Sequence, residues 1–144
     1  MIIPDVNVLL YATMTGFSQH NAAATWWEAA LNDTTRVGIA PVVAFGFLRI
    51  ATNPRVFANP LTVDAGTRHL DAWLERSMVE LLPTGRRHFA LACELLARVG
   101  TAANLTTDAQ IAAHAIESGG TVHTSDPDFA RFPEVPWIDP VRAG

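Results

Sequence analysis

Short apolar runs alternate with longer helical stretches along this chain, and that alternation constrains the fold more than any single motif. "IIP" at residues 2–4 feeds a helix at "VNVLLYAT", and "HNAAATWWEAALN" reads as a second helix with His20 or Asn21 near its cap. "RVGIA" is strand-like, and Pro41 opens a helix through "VVAFGFLRIAT" that Asn53-Pro54 stops. Thr62 caps "VDAGTRHLDAWLERS", whose apolar stripe runs through Leu70, Trp73 and Leu74. "VELLP" is a strand, "RRHFALACELLARVG" a helix ended by Gly100, and "DAQIAAHAIESGG" a helix ended by Gly119 and Gly120. "TVHTS" then reads as a strand and "PWIDP" as a last edge strand. Brief runs without polar alternation fit strands covered on both faces. The expectation is therefore an α/β fold with a central, mainly parallel sheet between two helical layers.

The chain of 144 residues suits a single domain over 1–144, with 49% hydrophobic and 17% charged residues supporting a folded core. The longest apolar run, "VGIAPVVAFGFL", is too short to span a bilayer, and "MIIPDVNVLLYA" has Asp5 where a signal peptide would be apolar. A soluble cytoplasmic protein without a membrane partner is expected. Cys93 is the single cysteine, which excludes an internal disulfide, and "ALACELL" suggests that it fills the core. The net charge of −4 gives no support to general electrostatic binding of nucleic acid, although all ten basic residues are arginine, whose forked donors match phosphate.

Ligands of open parallel sheets sit beyond the carboxyl ends of the strands. Three places put aspartate at such an end: Asp5 after the first strand, Asp108 opening a helix after "NLTT", and Asp126 with Asp128 after "TVHTS". Each has a capping alternative, because a helix N-terminus favours an anion, and Asp128 could serve "FARF" in that way. Gathered together, however, they need compensation. Two carboxylates about 4 Å apart repel by about 4 kcal/mol at an effective dielectric of 20. Hard oxygen donors without sulfur suit Mg²⁺ or Mn²⁺, and hydrolysis of a phosphodiester is the chemistry such an ion serves. No GxGxxG, GK[ST] or GxSxG occurs, which removes the dinucleotide, P-loop and nucleophile-elbow readings. Phosphoaspartyl chemistry at strand ends calls for a lysine, and the chain has none.

"IIPDVNVLLYA", "NLTTDAQIAAHAIESG" and "TVHTSDPDFARFP", in that order, resemble the PIN-domain ribonucleases, and specifically the VapC toxins of type II toxin–antitoxin pairs. "GFLRIATNPRVF" and "NPLTVDAG" are similar to the branch abundant in mycobacteria. The resemblance implies a PIN-like α/β/α fold and a Mg²⁺-dependent endoribonuclease, with Mn²⁺ as a substitute, cutting structured cellular RNA such as tRNA or rRNA. It implies that Asp5, Asp108 and Asp126 hold the metal, that Asp128 assists through water, and that Asn7 and Thr124, or else Ser125, orient carboxylates. It further implies a homodimer and a cognate VapB-type antitoxin whose C-terminal segment blocks the site. The alternatives are a PIN-fold module that binds RNA or antitoxin with weak or no turnover, and a PIN nuclease of RNA processing.

One departure favours the inert module: the PIN pattern has a glutamate three residues before an arginine, and here Gly46 precedes Arg49. No acid occurs between Asp33 and Asp64, so Gly46→Glu is expected to tighten metal binding. Arg49 and Arg55 are RNA-binding candidates, with a structural ion pair as the other reading of Arg49. Arg86 and Arg87 open a helix, the wrong end for its dipole, which suits a partner contact. The five histidines show no metal-ligand spacing and read as structural or surface groups. The four tryptophans read as core or dimer packing in preference to base stacking.

Overall fold

The computed structural model describes residues 1–142. Five strands form one parallel sheet: β1 (Ile2–Pro4), β2 (Val37–Ile39), β3 (Val79–Leu81), β4 (Thr121–His123) and β5 (Trp137–Ile138), in the spatial order β3-β2-β1-β4-β5. Each adjacent pair is parallel, with Ile2 beside both Val37 and Thr121 and Pro4 beside His123. Six helices connect them: α1 (Val6–Thr13), α2 (His20–Asn32), α3 (Pro41–Ala51), α4 (Val63–Leu74), α5 (Arg86–Val99) and α6 (Thr106–Ser118). The chain steps outward from β1 to β3, then returns to the other side of β1 for β4. Right-handed crossovers advancing in opposite directions place their helices on opposite faces, giving the three layers. The expected α/β/α architecture is the one observed.

Local chemistry sets the helix ends. Thr62 accepts from Ala65 N at 3.0 Å, and Pro41 occupies the first turn of α3. Gly100 and Gly119 close α5 and α6 at φ +89° and +68°, a conformation that costs an L side chain. The core joins both helical layers to the sheet, with Phe47, Phe129 and Phe132 among its fully buried side chains. Trp27 and Trp73 pack edge to face at 5.4 Å, so these two tryptophans serve the core as expected. Cys93 corrects an expectation: it lies on the exposed face of α5, because the buried stripe of that helix runs through His88, Ala92 and Leu95. Among the described residues no helix is long and apolar enough to cross a membrane.

Candidate metal centre at the carboxyl edge of the sheet

The order of strands reverses between β1 and β4, so the crevice beyond their carboxyl ends is where side chains from distant segments meet. Asp5 leaves β1, while Asp126 follows β4 by three residues. α6 runs back across the sheet to feed β4, which brings its N-terminal turn, with Asp108, to the same edge. One carboxylate oxygen from each of Asp108, Asp126 and Asp128 lies within 4.8 Å of the others. Asp5 stands just outside this trio, near enough for its charge to act on Asp108.

A hydrogen-bonded lattice joins the two strand ends. Thr124 Oγ donates to Asp5 Oδ2 at 2.8 Å and accepts from Asn7 Nδ2 at 3.1 Å and from the Asp126 backbone N–H at 3.0 Å. Asn7 Nδ2 also donates to Asp5 Oδ2 at 3.2 Å, and Asn7 Oδ1 accepts from the Ser125 N–H at 3.1 Å. Asn7 and Thr124 thus fix the Asp5 carboxylate. The Ser125 hydroxyl instead turns away to Asp139 Oδ1 at 2.9 Å, so only its backbone joins the lattice. Asp139, which also accepts from Val141 N and Arg142 N, carries no motif that a sequence reading would select.

The capping alternative and the cluster turn out to be compatible for two of the acids. Asp5 Oδ1 caps α1 through Val6 N at 2.7 Å, leaving Oδ2 for the lattice. Asp126, not Asp128, caps the 3₁₀ turn Pro127–Arg131, accepting from Asp128 N at 2.9 Å. Asp108 caps nothing: α6 begins two residues earlier at Thr106, and the side chain has no hydrogen-bond partner among the described residues. Burial, then the charges of Asp5, Asp126 and Asp128, push its carboxyl up to about 7. Burial likewise raises Asp5, opposed by its hydrogen bonds to Thr124 and Val6. An all-oxygen pocket in which the buried Asp108 has no hydrogen-bond donor among the described residues fits a hard divalent cation.

The arginines divide. Among the described residues Arg49 and Arg55 are exposed without an ion-pair partner, so the structural-pair reading of Arg49 fails. Arg131 Nε lies 3.9 Å from Asp128 Oδ1, one turn along the same segment, and was missed because i,i+3 pairs are commonplace. Arg49 lines a cavity of about 610 Å³ together with Val6, Phe45, Gly46, Phe89 and Thr107. Val6 and Thr107 are the chain neighbours of Asp5 and Asp108, so the cavity adjoins the acids. Gly46 itself faces α1: a Cβ built on it would stand 2.8 Å from Val6 Cγ2.

The PIN domain family model matches residues 2–135. Ribonuclease VapC33 of Mycobacterium tuberculosis is 49% identical over 142 residues, covering 99% of both chains, and Ribonuclease VapC37 of the same species is 38% identical over 140 residues, covering 97% of both. Among solved structures, M. tuberculosis VapC20, a Sarcin-Ricin loop cleaving toxin, superposes with TM-score 0.70 at 18% identity over 90% of this chain and 93% of that one. VapBC2 from Rickettsia felis, bound to a DNA fragment from its promoter, gives TM-score 0.68 at 20% identity over 96% and 98%. With a family match over nearly its whole length and relatives this similar from end to end, the chain belongs to the PIN-domain family, and within it to the VapC group.

Proposed function

We propose that this chain is a Mg²⁺-dependent endoribonuclease, the toxin of a VapBC-type pair, acting in the cytoplasm on structured RNA such as tRNA or rRNA. The observation that carries the reading is the convergence of Asp5, Asp108, Asp126 and Asp128, from three separate segments, on one rim. Curated relatives named as ribonucleases at up to 49% identity support the reaction class.

Asp108, Asp126 and Asp128 offer oxygens close enough for one ion, and Asp5 presents a carboxylate held rigid by Thr124 and Asn7. A divalent ion bound there would lower the pKa of a coordinated water and offset charge developing on the phosphodiester. The chain's own contribution is orientation. Through a single hydroxyl, Thr124 ties the Asp5 carboxylate beyond β1 to the Asp126 backbone N–H beyond β4, which fixes the two segments relative to each other. Arg49 and Arg55, exposed and unpaired among the described residues, would hold RNA phosphates through their forked donors, and no side-chain nucleophile is required. The Phe45–Phe89 cavity suits the apolar face of an antitoxin segment, with an arginine of that segment reaching the carboxylates. A homodimer with both sites facing one groove completes the proposal.

The inert-module alternative rests on Gly46, and one experiment separates the two readings. Purified protein is incubated with total RNA and Mg²⁺ or Mn²⁺, with and without EDTA, beside Asp5→Asn. Discrete cuts that disappear with chelator and fall at least 100-fold in the variant are expected, on the order of the loss of a metal-site group. Equal cutting by Asp5→Asn would remove this site from the reaction, and no cutting at all would favour the binding module.

A further inference from the structure

A second cluster includes His88, which also lines the cavity that adjoins the acids. The start of α5 and the end of α6 bring His88, His114 and Glu117 together, one nitrogen or oxygen from each within 4.8 Å of the others. His88 is 5% exposed and His114 3%. Their rings stack with centroids 3.8 Å apart and planes inclined by 26°. Glu117 Oε1 lies 2.8 Å from His88 Nδ1, and since a carboxylate only accepts, that nitrogen carries the hydrogen. With the hydrogen on Nδ1, the lone pair available to an ion is the one at Nε2. That Nε2 is buried without a partner, and so is Nε2 of His114.

Core histidines satisfy their ring nitrogens, and two adjacent orphans are costly unless something else engages them. A proton is a poor candidate for His114, because burial and the neighbouring His88 ring hold it down to about 4. We infer that the Nε2 atoms of His88 and His114 form a second cation site, suited to a borderline transition ion such as Zn²⁺, with Glu117 orienting His88 from behind. The His88–Glu117 bond has the arrangement of a metal-binding histidine, in which a carboxylate holds one ring nitrogen and turns the other toward the ion. A tetrahedral ion with bonds of about 2.0–2.1 Å sets donor atoms about 3.4 Å apart, near the 3.8 Å between the two ring centroids, and rotation that opens the ring stack turns both Nε2 lone pairs toward it. Glu117 stays on His88 Nδ1, and water completes the coordination. A cavity of about 330 Å³ lined by Glu80, His114 and Glu117 gives the ion and a water access.

Nitrogen donors separate this site chemically from the all-oxygen rim. An ion there would staple α5 to the end of α6, the helix whose first turn positions Asp108. Sequence spacing hides most of the site: His114 and Glu117 are one turn apart on α6, but His88 joins them only through packing of α5.

Metal-stripped wild-type protein, Asp126→Asn and His114→Gln are titrated with Zn²⁺ in excess Mg²⁺, with bound zinc counted after gel filtration. One equivalent retained by Asp126→Asn and lost by His114→Gln is expected. Zinc retained by His114→Gln, or lost from Asp126→Asn, overturns the assignment. Long-range ¹H–¹⁵N spectra of the wild type read the same question without a substitution. One equivalent of Zn²⁺ should shift the Nε2 resonances of His88 and His114, and unmoved resonances overturn the proposal even where His114→Gln fails to fold.

Discussion

Asp108 is the residue on which electrostatic strain concentrates. It is buried beside three other carboxylates and its carboxyl is pushed up to about 7 from 3.8. Below about pH 4 the group is protonated whether the chain is folded or not. As pH rises from there to about 7, the folded state keeps a proton that the unfolded state has released, so the contribution to stability falls across that window. His114 and His123 work in the opposite sense. Burial lowers both to about 4 from 6.5, so they cost stability as pH falls through that interval. Asp108→Asn isolates the carboxylate. In metal-free buffer at pH 8 it should raise the melting temperature, by a stabilisation bounded at about 4 kcal/mol from the size of the shift, with the gain fading toward pH 4. A variant no more stable than wild type at pH 8 would mean the acids are solvated and uncrowded. Thr124 is the second informative residue, since its hydroxyl bonds Asp5 and Asp126 N–H together. Thr124→Val should lower RNA cleavage about 10–100-fold with the fold retained, and wild-type turnover would show that Asp5 needs no tether.

At the scale of elements, the close approach of α3 to α1 explains the missing glutamate. A Cβ at position 46 would stand 2.8 Å from Val6 Cγ2, and Val6 is a buried, β-branched side chain on the first turn of α1. The expected benefit of Gly46→Glu therefore comes with a packing penalty that the sequence does not reveal. Gly46→Ala should destabilise by about 1–3 kcal/mol through overpacking, partly offset by about 1 kcal/mol of helix propensity. Val6→Ala in the same chain should restore the loss, which chemical denaturation of the single and double variants can measure. Additive destabilisation would show that the two side chains do not meet. Only with Val6 trimmed is Gly46→Glu a fair test of whether a fifth acid tightens the metal site.

At the scale of the molecule, the acidic rim and the cavity beside it share a border formed by Val6 and Thr107. Phe45 and Phe89 are exposed at 72% and 69%, an apolar pair that a monomer in water has no reason to present. Phe45→Ser with Phe89→Ser should weaken antitoxin binding at least tenfold while leaving free-toxin cleavage unchanged, as aromatic anchors dominate such contacts. Unaltered affinity by calorimetry would place the antitoxin elsewhere.

The sequence by itself determined the layer architecture, because apolar runs of three to five residues alternating with capped helical segments have few other solutions. It also marked Asp5, Asp126 and Asp128, since a charge where an apolar strand gives out is a local signal, whereas Asp108 follows no strand and reaches the same edge on the first turn of α6. Tertiary structure alone decided which groups meet. Asp128 joined the close trio while Asp5 stood one step back, and the Ser125 hydroxyl chose Asp139. Cys93 fell on the outer face of α5, because helical phase against the sheet is set by packing and not by neighbouring apolar residues. His88 met His114 and Glu117 across two helices for the same reason: contact between distant segments depends on how the layers close, and no local spacing encodes it.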